Sequence, residues 1–83
     1  MSINIEQLEV GKLYKAIDII HSCSDLTLNY TIIIFQLNYN KNPFMFLDKE
    51  LLIDDDGCYL KILVFDKIGW IYVFPDELFE ELK

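Results

Sequence analysis

His21, Ser22, Cys23, Ser24 and Asp25 stand in one run and together offer a nucleophile, a base and an acid, the residue types of covalent hydrolysis. Such a nucleophile works only when a rigid frame holds its base within hydrogen-bond reach and a third group orients that base. Five neighbours on one small polar turn do not meet that demand, so the run reads as a solvated loop and the chain as no enzyme. His21 and Cys23, with Cys58 as a third donor if the strands bring it near, make a partial zinc set. Zinc takes four protein ligands, or three and a water, at recognisable spacing, and no metal or other cofactor is expected here. Asp54, Asp55, Asp56 and Gly57 resemble the start of a calcium loop, but the twelfth position, where that loop needs Glu, is Phe65. An Asp-Gly pair suits a tight hairpin turn instead.

Acidic residues are the other conspicuous class. The chain carries 14 Asp and Glu against 7 basic residues, all of them Lys, for a formal net charge of −7. That field repels phosphates, and the absence of Arg removes the usual bidentate reader of phosphate and guanine, so direct nucleic-acid binding is excluded as an expectation. Asp76, Glu77, Glu80 and Glu81, with Asp54 to Asp56, Glu6 and Glu9, have the numbers to imitate a phosphate line, while a solvated helix face explains Glu77, Glu80 and Glu81 equally well. No run approaches the ~20 apolar residues of a membrane span, and the start Met1-Ser2-Ile3-Asn4-Ile5-Glu6 is not a signal peptide, so a cytoplasmic protein is expected. Two cysteines make no disulfide framework and read as free thiols.

The elements that position these residues are read from alternation. Ile3 to Val10 suggests one helical turn leading into Gly11, and Lys12 to Ile20 alternates as a strand without choosing its inner face. Leu26 to Leu37, rich in Thr, Tyr, Ile and Phe, reads as the longest strand and ends at the turn residues Asn38 to Pro43. Strands follow at Phe44 to about Leu47, Cys58 to Phe65 and Ile68 to Phe74, with a turn at Asp48 to Glu50. Pro75-Asp76-Glu77 then opens a helix whose apolar stripe is Leu78, Phe79 and Leu82. One domain, 1–83, is predicted: all-β, a five-stranded antiparallel sheet curling into a small barrel with a short C-terminal helix.

Gly11-Lys12-Leu13-Tyr14-Lys15-Ala16, the phrase Met45-Phe46-Leu47, and Ile68-Gly69-Trp70-Ile71 followed by Pro75 resemble the small SH3-like barrel proteins encoded by bacteriophages and other viruses. The resemblance implies an SH3-like barrel in which these strands enclose one core. It also implies a phage or viral accessory protein that binds and inhibits host or defence machinery, in the host cytoplasm. Tyr14, Trp70 and Pro75 fall near the places where SH3 domains line a peptide groove. The Ala-Leu-Tyr-Asp-Tyr phrase and the tandem Trp pair are missing, so proline-rich peptide binding does not carry over.

With 53% hydrophobic residues, this chain has strands that look apolar on both faces, which a small antiparallel sheet shows when something covers its outer side. The functional expectation is therefore protein binding, to a host protein or to a second copy, through Ile33, Phe35, Phe44 and Phe46, with Trp70 and Tyr72 as aromatic contacts. The alternatives are a small-ligand carrier for nucleotides, which needs Lys12, Lys15, Lys61 or Lys67 gathered at a pocket, and a homo-oligomeric structural component.

Overall fold

Asn4 closes the first turn of the chain. Its Oδ1 accepts the Glu6 amide at 3.0 Å while Gln7 Oε1 accepts the Asn4 amide at 3.0 Å. This reciprocal cap holds the 3-10 turn Ile5–Gln7 and places Ile5 in the core. The computed structural model describes residues 2–17, 22–24, 30–51 and 57–82. Among them are the strands β1 (Ser2–Ile3), β2 (Leu13–Ala16), β3 (Ser22–Ser24), β4 (Phe44–Leu51), β5 (Cys58–Val64), β6 (Lys67–Val73) and β7 (Phe79–Leu82), and one helix, α1 (Tyr30–Asn38). The strands form one antiparallel sheet in the order β1-β7-β2-β4-β5-β6-β3. The fold is all-β overall, with seven strands rather than the expected five.

Four further expectations are corrected. Tyr30 to Leu37, the described part of the expected long strand, lies in the helix Tyr30–Asn38; Leu26 to Asn29 lie outside the described residues. Its apolar run fits both periods, and tertiary packing decides. A helix seats Ile33, Leu37 and part of Ile34 against the core while satisfying its own backbone. The Asn-rich segment caps it. Tyr39 and Asn40 amides donate to the Phe35 carbonyl at 2.9 and 3.3 Å, and the Asn42 amide donates to the Gln36 carbonyl at 3.0 Å. Gln36 Oε1 accepts the side-chain amides of Asn40 and Asn42, and Lys41 takes the left-handed φ of 55°.

The C-terminal helix does not form either. Phe74 to Glu77 is a turn closed by the Glu77 amide on the Phe74 carbonyl at 3.1 Å, and Phe79–Leu82 is a strand inserted between β1 and β2. Phe79 lies opposite Ala16, both buried, and Glu80 opposite Lys15 with an ion pair at 3.6 Å. Leu78, Phe79 and Leu82 carry no period that separates helix from strand; the partner strands decide it. Asp48 to Glu50 is no turn, because β4 runs on through it with a bulge between Phe46 and Asp48. Ser22–Ser24, read as loop, is the edge strand beside β6.

Register shows that the sheet is sharply bent. Through the chain of pairings Ala16 and Ser22 lie four strand spacings and seven residue levels apart, about 30 Å in a flat sheet. Six Cα steps span at most about 22 Å. The two half-sheets must therefore fold toward each other, and the bulge in β4 falls where the strand passes from one half to the other. Strict alternation follows on β5, where Cys58, Leu60, Ile62 and Val64 are buried and the residues between are partly exposed. On β2 the inner face is Tyr14 and Ala16. The core they enter is completed by Phe44, Phe46, Ile71, Val73 and Phe79, with α1 contributing Ile33 and Leu37.

Candidate functional site

The expected docking residues separate into three places. Ile33, Phe44 and Phe46 are core residues, exposed by 4%, 1% and 4%. Phe44 lies 6.4 Å from the Tyr14 ring and meets Phe79 edge-on at 5.8 Å, tying β2, β4 and β7 together. In this fold these three side chains present no surface. Phe35 is different: half of it is exposed, on the outward side of α1, beside Ile32 and Tyr39, which are 56% and 66% exposed. The three occur at i, i+3 and i+7, so one side of the helix is an apolar stripe facing away from the core. The Phe35 and Tyr39 rings are in contact, tilted by 34° with centroids 5.3 Å apart. A period of two puts Ile32 on the face opposite Phe35, and the turn reading of Asn38 to Pro43 sets Tyr39 apart; a period of 3.6 gathers all three.

Trp70 and Tyr72 lie on the outward face of β6, partly exposed. Tyr72 meets Tyr59 of β5 at 5.7 Å and Phe74 at 5.2 Å, both edge-on. The same face carries a row that sequence reading did not assemble. Leu82, Leu13, Met45, Leu63 and Ile68 stand at one level on β7, β2, β4, β5 and β6, each opposite the next. Leu13 and Ile68 are 42% and 56% exposed. Their opposite-facing neighbours Tyr14, Phe44, Ile62 and Gly69 are buried, so the row points outward. Only strand pairing brings five such distant residues together.

Electrostatics explain what the charged residues do not do. Lys12 pairs with Glu9 and lies 3.7 Å from Glu81, and Lys15 pairs with Glu80. The hydrogen bond that Lys12 donates to the Glu9 carboxylate, then the Glu81 charge, holds the Lys12 ammonium above its usual pKa. These are exposed pairs and add little stability. They place two of the four lysines a nucleotide pocket would need beside carboxylates. Glu80 and Glu81 sit on alternate sides of β7, not on one helix face, and Glu77 is buried at 5% exposure. His21, Asp25 and Asp54 to Asp56 lie outside the described residues. Among the described residues no three His, Cys, Asp or Glu side chains gather as a metal site, and no helix is long and apolar enough to cross a membrane.

Cys58 is a buried free thiol at the start of β5. Burial pushes its pKa up from 9.0, with Lys49 opposing and Glu77 adding to the shift. The folded chain keeps this proton where the unfolded chain releases it. The associated stabilisation is thus complete below the ordinary thiol pKa and is lost as pH rises above it. Urea unfolding from about pH 8 to about pH 10.5 should show the stability advantage of the native chain over Cys58→Ala shrinking. A pH-independent difference would contradict this assignment.

Compared with protein-family models, curated proteins and solved structures, the chain matches none.

Proposed function

We propose that this chain is a non-catalytic protein-binding domain built on a small SH3-like barrel, and that it docks a partner protein through the outward side of α1. The observation that carries the reading is the stripe Ile32 and Phe35 on α1 with Tyr39 just past its end, half or more of each residue being exposed. Aromatic residues on a preorganised element bury much area at little entropy cost, which makes them binding anchors. A helix whose opposite side already fills the core has no need of a second apolar side for folding.

Support for the barrel comes from the same motifs that carry the resemblance. Tyr14 from the opening strand, Phe46 from the central strand, and Gly69 and Ile71 beside Trp70 all face one core. The bend required by the short passage from β2 to β3 is what closure into a barrel needs. The likeness to phage-encoded barrels extends the reading to an accessory protein of a virus that engages a host protein.

Phe35→Asp tests the docking side, since an exposed position tolerates the change. Affinity capture followed by titration of the purified partner should show binding weakened at least about tenfold by Phe35→Asp, with circular dichroism unchanged. Equal binding by both proteins, or no partner retained by the native chain, overturns the proposal. Thermal stabilisation by nucleotides would favour the carrier instead.

A further inference from the structure

Lys41 holds a left-handed backbone, φ 55°, three residues beyond the end of α1. Gly adopts that geometry freely and Asn readily, whereas a long side chain strains it. Asn stands on both sides, at 40 and 42, yet the left-handed position itself is Lys. Backbone strain of this kind is kept where the side chain has a use.

Both neighbours of Lys41 turn back to the helix. The side-chain amides of Asn40 and Asn42 donate to Gln36 Oε1, and the Asn42 main-chain amide donates to the Gln36 carbonyl at 3.0 Å. The segment is thereby fixed on either side of residue 41, and the Lys41 side chain reaches across to β2. Its Nζ donates to the carbonyl of Ile17 at 3.2 Å, 24 residues earlier in the chain. Ile17 is itself anchored: its amide donates to the Leu78 carbonyl at 3.1 Å, and its neighbour Ala16 lies buried opposite Phe79. One ammonium therefore joins the C-terminal end of α1 to the end of β2 and, through Ile17, to the residue that leads into β7.

Ile33 and Leu37 hold α1 to the core by apolar burial, which has no preferred direction. A helix of nine residues seated in that way can turn about its own axis, and such a turn swings Ile32, Phe35 and Tyr39 around the surface. No residue of Tyr30–Asn38 is charged. The hydrogen bond from Lys41 is directional, and it lies just past the carbonyl end of the helix, where the helix dipole also favours a cation.

We infer that Lys41 is the positioning residue of the α1 docking side: its ammonium, held on the Ile17 carbonyl, fixes the orientation in which Ile32, Phe35 and Tyr39 meet the partner. The inference rests on the docking role proposed for that side. The bond is exposed, so its loss changes global stability little and acts locally on α1.

Lys41→Met keeps the side-chain length and the backbone geometry but removes the donor, and Lys41→Arg restores one. The Tyr39 and Asn40 amides, both bonded to the Phe35 carbonyl, should exchange with solvent at least about threefold faster in Lys41→Met, with the thermal midpoint nearly unchanged. Lys41→Arg should exchange as the native chain does. Titration of the partner retained by the native chain should show Lys41→Met binding weaker by at least about threefold, and Lys41→Arg binding restored. Exchange unaffected by Lys41→Met, or equally fast in Lys41→Arg, overturns the inference. Faster exchange with unchanged binding also overturns it, because the bond would then serve the fold alone. If Phe35→Asp binds as the native chain does, the docking reading fails, while the exchange measurement still decides whether Lys41 fixes α1.

Discussion

Phe44→Ala should remove most of the stability of this protein. Phe44 is 1% exposed, lies opposite Tyr14 in the β2–β4 pair and packs edge-on against Phe79, so one ring joins three strands that are far apart in sequence. Truncating a buried Phe costs about 3–5 kcal/mol, the lost transfer of the ring plus the cavity it leaves. A chain of 83 residues has only about 4–12 kcal/mol in total. The midpoint of thermal unfolding should fall by roughly 12 °C or more, and urea unfolding should shift to match. Tyr14→Phe is the informative companion. The Tyr14 hydroxyl accepts the Glu9 amide at 2.8 Å, so this change keeps the ring and removes only that acceptor, for about 1 kcal/mol. Equal losses from the two substitutions would show that Phe44 is not the centre of the β2–β4–β7 core.

Gly57→Ala should cost about 1–3 kcal/mol, because the added methyl has no room. A Cβ on Gly57 would stand 2.5 Å from the tip of the Tyr72 ring and 2.8 Å from the Val73 carbonyl oxygen. The ring has some freedom, but it is held edge-on by Tyr59 and Phe74. The carbonyl belongs to β6, whose Val73 is paired with Cys58, and cannot give way without disturbing that pair. Adding Tyr72→Ala should relieve part of the cost and leave the carbonyl's share. Denaturation of the two single variants and the double variant measures this coupling. Simple additivity would mean that the Tyr72 ring is not the obstacle. The Asp-Gly signal in the sequence marked a hairpin, and the close approach of Tyr72 adds a separate reason for glycine at this position.

Local chemistry was legible wherever neighbours in sequence are also neighbours in space. Asn4 and Gln7 cap a turn three residues apart, and β5 falls where its strand is expected, although its sequence looks apolar on both faces and only the structure shows which set is buried. The β5–β6 hairpin needed only Val64 and Lys67 to meet across two residues. Ile33, Phe35, Phe44 and Phe46 are expected from the sequence as one docking patch; the structure leaves Phe35 half exposed and places the other three in the core. Side-chain type cannot separate an anchor from a core residue, since both are large and apolar. The difference is which way the backbone turns them.

Composition, charge and the surplus of apolar residues were determined by the amino-acid sequence itself, because each depends on single residues and not on their partners. Tertiary structure decided the rest. Tyr30–Asn38 became a helix through its seat on the core, and Phe79–Leu82 became a strand through the slot between β1 and β2. The outward row from Leu82 to Ile68 exists only through pairing. An apolar run satisfies a helix and a strand equally well in isolation, and the free energy that separates them comes from partners dozens of residues away.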